Sequence, residues 1–206
     1  MITPSSIFYT VAQGVLRALG ATATQTNMNL LIAWMGEENG WQATFAWKNP
    51  MNTTLDMPGA TSMNGAGVKA YPTWAEGFEA TAKTLNNGLY PTLLSALKNS
   101  DANSFFSAEG KKELETWSGG DTSYANTIYT IYSELAPVPS AYLTAHAATS
   151  GETVPGWMQD LQKGASTLGD LLGLNNFASG FKANPTLTVI VAATVVVLLM
   201  DGMANA

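Results

Sequence analysis

An apolar run at helical spacing that ends in two carboxylates constrains this chain more than any other feature. From Asn27 to Glu38 the sequence reads as a helix, with Leu30, Leu31, Trp34 and Met35 on its inner side, and Gly40 stands ready to stop it. The helix therefore leaves an acid at the end of a buried element. Glu38 follows Trp34 by four residues and shares its face, whereas Glu37 is rotated by about 100° and is expected to point elsewhere. An aromatic wall beside a carboxyl group disfavours ionisation, and the negative end of the helix dipole acts in the same direction. Such an acid holds its proton near neutrality and can donate it, and a glycosidic oxygen is the acceptor that suits it best. The competing reading is two solvated glutamates in the last turn of a surface helix.

The rest of the chain predicts a mainly α lobe (α+β) with a small β-hairpin insert. Residues 5–20 form a first helix on the spacing of Ile7, Val11, Val15, Leu16 and Leu19. Residues 45–72 have no helical period; Asn, Pro, Gly and Thr are frequent, and Val68, Ala70 and Tyr71 suggest a strand. Residues 73–87 form a third helix that opens on a Thr73/Glu76 capping box and closes at Gly88. Shorter helices follow at 91–98, 100–106 and 108–117, and a last one at 124–135 points Ile128, Ile131, Tyr132 and Leu135 inward. Pro137 and Pro139 end the compact unit, which is taken as residues 1–136, with a linker at 137–153. An amphipathic helical segment at 154–182 and a hydrophobic tail at 183–206 make up a C-terminal arm.

Composition removes several chemistries. The chain has 206 residues, 12 % of them charged, and a net charge of −6. With no basic cluster beyond the adjacent pair Lys111 and Lys112, nucleic acid is not an expected partner. Cysteine is absent, so there is no disulfide, thiolate metal site or cysteine nucleophile. The single histidine, His146, lies in an Ala/Thr/Ser stretch and excludes any zinc site built on two or three histidines. Neither a metal nor another cofactor is expected.

Around the acid, the run Asn49-Pro50-Met51-Asn52-Thr53-Thr54 presents amides and hydroxyls on an irregular backbone, suited to sugar hydroxyls and acetamido groups or simply forming a turn. Tyr71 ends the expected hairpin and either points its hydroxyl into a cleft or serves as a core aromatic. Asp56 could stand across a cleft from Glu38, and Glu37 is the other possible second acid. The spacing settles neither.

These segments together resemble the lysozyme-like peptidoglycan-cleaving domains of bacteriophage virions and, more distantly, the bacterial N-acetylglucosaminidase and flagellar muramidase family. The resemblance rests on a helix ending in Glu, on Asn49–Thr54 eleven residues later, on Asn64-Gly65-Ala66-Gly67-Val68-Lys69-Ala70-Tyr71-Pro72-Thr73-Trp74, and on Leu85-Asn86-Asn87-Gly88-Leu89-Tyr90. It covers roughly residues 10–100. It implies Glu38 as the proton donor, Tyr71 as a catalytic tyrosine near the scissile bond, and Asn49, Asn52, Thr53, Thr54 and Asn64 as substrate-binding residues. It also implies either a lytic transglycosylase working with one acid or a muramidase/glucosaminidase that needs a second acid or a positioned water.

The tail is the remaining signal. Leu187–Met200 gives fourteen apolar or near-apolar residues. At the helical rise that is about 21 Å, short of a bilayer's roughly 30 Å hydrocarbon core. Counted from Ala183 to Ala204 the stretch reaches about twenty residues, so it reads as a transmembrane helix or as a buried element of an assembly. No secretion signal is read at the N-terminus. A wall-cutting lobe on a hydrophobic arm is then expected in a virion. There it would be associated with a membrane or tail, contact peptidoglycan strands and other virion proteins, and act at the host envelope during genome delivery. The alternatives are a non-catalytic virion or membrane component that binds wall glycan, and a holin-like membrane protein.

Overall fold

The computed structural model describes residues 1–41 and 47–143. Its element order is α1 (Ser6–Leu19), α2 (Gln25–Asn39), β1 (Thr61–Ser62), β2 (Lys69–Ala70), α3 (Trp74–Leu85), α4 (Pro91–Asn99), α5 (Ala102–Phe105), α6 (Ala108–Trp117) and α7 (Tyr124–Glu134), with a 3-10 turn at Ser140–Tyr142. The described part is thus mainly helical with one two-stranded antiparallel sheet. Each helix expected between residues 5 and 135 is present, its ends displaced by a few residues at most.

Helix α2 is the axis of the lobe. Leu30, Leu31, Ile32, Ala33, Trp34 and Met35 are all fully buried, so the helix is covered around its whole circumference and not only on the inner side expected. It packs against α1, α5 and α7. Its start is capped by the Thr24 hydroxyl, which accepts the Asn27 N–H at 3.2 Å. Its end is the left-handed Gly40, φ 56°. Helix α1 meets α3 closely, because a Cβ on Gly14 would fall 2.2 Å from the Phe78 ring.

Carboxylates organise helix starts elsewhere too. The Thr73/Glu76 capping box opens α3 as read from the sequence. Tyr90 offers α4 no side-chain cap; instead the Glu113 carboxylate, from α6, accepts the N–H groups of Thr92 and Leu93, both at 2.9 Å. That contact ties α6 to α4 and sets where Trp117, the last residue of α6, arrives.

The described part of the insert between α2 and α3 is mostly loop. The strands pair Thr61 with Ala70 and Ser62 with Lys69. Beyond α7 the chain does not leave the lobe at Pro137. Val138 is buried and its N–H donates to Gln25 Oε1 at 3.1 Å. Tyr142 stacks on Tyr9 with ring centroids 5.0 Å apart and accepts from Gln13 through its carbonyl. The compact unit therefore continues to at least residue 143, past the boundary expected at 136. The rest of the expected linker, the amphipathic segment, the hydrophobic tail and His146 lie outside the described residues. Among the described residues no helix is long and apolar enough to cross a membrane.

Candidate functional site

Glu38 occupies the last turn of α2, and three side chains converge on its carboxyl group. Trp117 Nε1 donates to Oε1 at 2.9 Å. The Tyr124 hydroxyl, at the first residue of α7, donates to the same oxygen. Asn52 Nδ2 donates to Oε2 at 3.0 Å and to the Glu38 backbone carbonyl at 2.9 Å. The direction of the Tyr124 bond follows from the next link: the Trp34 indole N–H donates to the Tyr124 oxygen at 3.0 Å, so the hydroxyl proton is left for Glu38. Trp34 also stands edge-to-face against Trp117 at 4.9 Å. The aromatic wall inferred from Trp34 is real, but it reaches the acid through Tyr124 and Trp117.

This geometry fixes where an acid proton can ride. Both lone-pair directions of Oε1 are taken by O–H and N–H donors, whereas Oε2 accepts only from Asn52. A protonated Glu38 therefore carries its proton on Oε2. Burial pushes the Glu38 pKa up and outweighs the three hydrogen bonds, which pull it down; the neighbouring Glu37 charge adds to the rise. Tyr124 is driven the same way, first by burial and then by the Glu38 charge, so it remains a hydroxyl donor.

The acid opens on a cleft of about 600 Å³. One wall is Met51, Asn52, Thr53 and Thr54, and the other includes Trp117, Ser118, Asp121 and Tyr124. Glu37, expected to point away, also lines it, because the helix ends there and both carboxylates reach the opening. Glu37 is raised in pKa by burial and by the charge of Asp121. Asp121 is exposed and held low by the Ser123 hydroxyl and N–H, at 2.7 and 2.8 Å.

Several residues implicated by the sequence stand behind the cleft instead of in it. Asn49 is buried, and its Nδ2 donates to the Thr53 and Lys69 carbonyls at 2.8 Å each, while its Oδ1 accepts the Thr53 N–H at 2.9 Å. It holds the loop in shape and has no donor left for a sugar. Tyr71 does not line the cleft: it is 3 % exposed, its hydroxyl donates to the Leu55 carbonyl at 2.9 Å, and Thr53 Oγ1 lies 2.8 Å away. The tyrosine given a catalytic role is thus a brace for the loop that carries Thr53. Asn64 turns the hairpin by accepting the N–H groups of Ala66 and Val68, both at 3.1 Å, and is not among the lining residues. Asp56 is tied to Lys69 at 3.0 Å, outside the cleft.

Sequence reasoning missed Trp117, Tyr124, Asp121 and Tyr90, all of which line the cleft. The only local signal was positional. Trp117 ends one helix and Tyr124 begins the next, so both carry their polar atoms at element ends, where they can reach a site.

Removing the Tyr124 hydroxyl gives a test of this network. Tyr124→Phe leaves the buried Trp34 N–H without its acceptor, at a cost of about 1–3 kcal/mol. It also deletes a hydrogen bond that lowers the Glu38 pKa, so that pKa rises further. The expected result is a lower Tm together with an alkaline limb of any Glu38-dependent activity displaced to higher pH. A limb that stays in place would detach Tyr124 from the acid.

Among the described residues no group of His, Cys, Asp and Glu is arranged to hold a metal ion. No family model, no curated protein and no solved structure matches the chain.

Proposed function

We propose that this chain cleaves the glycan strand of peptidoglycan, with Glu38 as general acid, as a lysozyme-like domain carried by a phage particle that opens the host wall locally for genome delivery. The observation that carries the reading is a single carboxyl group whose pKa is raised chiefly by burial. It is oriented by Tyr124, Trp117 and Asn52 and set at the end of a cleft with hydroxyl and amide groups on one wall. The hydrophobic stretch at 183–206 would hold the domain in a membrane or within the particle. Clearing of cell-wall suspensions by the purified protein is the direct test.

The second acid is better sought at Asp121 than at Asp56. Asp121 lines the cleft, is kept ionised by Ser123, and can hold a water for attack. That favours hydrolysis over the single-acid transglycosylase route, in which the sugar's own hydroxyl attacks. Mass spectrometry of the fragments is expected to find reducing ends, and Asp121→Asn to slow their release by at least about 100-fold. Anhydro ends, with Asp121→Asn close to wild type, would assign the transglycosylase route.

A further inference from the structure

Tyr90 is an unspent hydrogen-bonding group inside the cleft. The residue is 7 % exposed and lines the cleft with Trp117 and Met51. Its ring stands edge-to-face against Trp117 at 5.2 Å, and Trp117 is bonded to Glu38, so Tyr90 is one ring away from the acid. Its hydroxyl bonds to no described residue, although almost every other buried polar side chain in the lobe is paired. Among the described residues Asn27 Oδ1 is the one fully enclosed polar side-chain atom without a partner, so the Tyr90 oxygen is not fully enclosed, and the residue that carries it lines the cleft. A tyrosine buried for its ring alone would be served as well by phenylalanine. A hydroxyl that is not enclosed, bonds to no described residue and belongs to a residue lining the cleft is available to whatever enters.

We propose that Tyr90 is a substrate-binding residue whose hydroxyl hydrogen-bonds the acetamido group of an N-acetylhexosamine seated beside Glu38. This rests on the glycan-cleaving reading above and adds to it a preference for N-acetylated over free-amine sugars. Two features select the acetamido group among the polar groups of a sugar. It carries a methyl that needs apolar surface, which the Trp117 ring beside Tyr90 provides. It also offers both an acceptor and a donor, and a tyrosine hydroxyl can serve either. Burial raises the Tyr90 pKa, so the O–H remains intact through neutral pH. A free amine would be drawn instead to Glu37 and Asp121 at the opening.

The test uses the full chain and its Tyr90→Phe variant on two preparations of peptidoglycan, one N-acetylated and one chemically de-N-acetylated. The substitution removes an atom that has no partner in the protein, so an unchanged Tm is expected. On the N-acetylated wall KM is expected to rise by about three- to tenfold, the effect of one neutral hydrogen bond, with little change on the de-N-acetylated wall. Identical kinetics for both proteins on both substrates would overturn the proposal, and so would an equal loss on the two. A wild-type protein that cuts neither wall removes the glycan-cleaving reading itself. One that cuts normally while the variant matches it removes only the role of Tyr90.

Discussion

Glu38→Gln is expected to abolish glycan cleavage, a loss of about 10²- to 10⁴-fold, in a protein that remains folded. The amide keeps an oxygen for Trp117 and Tyr124 to bond, so the aromatic network survives, but there is no proton to give. Its NH2 faces Asn52 Nδ2, a donor against a donor, which subtracts part of what removing a buried charge would add. The pH dependence is free of that offset. The folded-state pKa of Glu38 lies above its unfolded value, so wild-type stability from this group is complete below the ordinary glutamate range and is lost as pH rises through the raised value. The variant has no such group. Its Tm relative to wild type should therefore climb with pH, starting at about pH 4 and levelling once Glu38 is ionised in both states. Wild-type cleavage should fall as pH rises through the raised value, since only the protonated acid is competent. Wall clearing that survives the substitution, or a Tm difference flat in pH, would take Glu38 out of its role.

The parts of this lobe that were legible in the sequence are those whose causes are local. Helix α2 could be read because the apolar run and Gly40 lie on one continuous stretch, although its start was placed at Asn27 and the Thr24 cap was not recognised. The α3 capping box needs only Thr73 and Glu76. Glu38 could be read because Trp34 is one turn behind it. The second half of the site could not, since Trp117 and Tyr124 lie 79 and 86 residues away and nothing in their own neighbourhoods marks them as partners of Glu38. Glu113 illustrates the same limit: it looks like one acid among surface charges, yet it caps a helix twenty residues upstream. Tyr71 and Asn49 were misplaced for a different reason. Their residue types suit a sugar groove, but loops with few backbone ladders satisfy their buried polar groups with side chains, and these two are used up doing so.

The largest structural effect is expected from Gly77→Ala in α3. A Cβ there would fall 1.8 Å from the carbonyl oxygen of Lys48 and 3.0 Å from its carbonyl carbon, a collision with main chain and not with a side chain that could swing away. The loop cannot easily retreat. Tyr71 N–H holds the Trp47 carbonyl at 2.9 Å, Asn49 grips Thr53 and Lys69, and Lys48 already sits at φ 51°, where non-glycine backbones are strained. The substitution should therefore cost about 3 kcal/mol, the upper end of what an added methylene does in a packed interior. The displaced segment carries Asn52, Thr53 and Thr54, so cleavage should fall in the molecules that still fold, and the Glu38 pKa should rise as the Asn52 bond lengthens. Gly65→Ala is the control: its Cβ would meet nothing within 4 Å, and stability should change by no more than about 0.5 kcal/mol. Chemical denaturation of the two variants beside wild type measures both effects. A Gly77→Ala protein as stable as the Gly65→Ala one would mean that the Lys48 carbonyl is not pressed against α3, and the cleft wall that follows it in the chain would have to be redrawn.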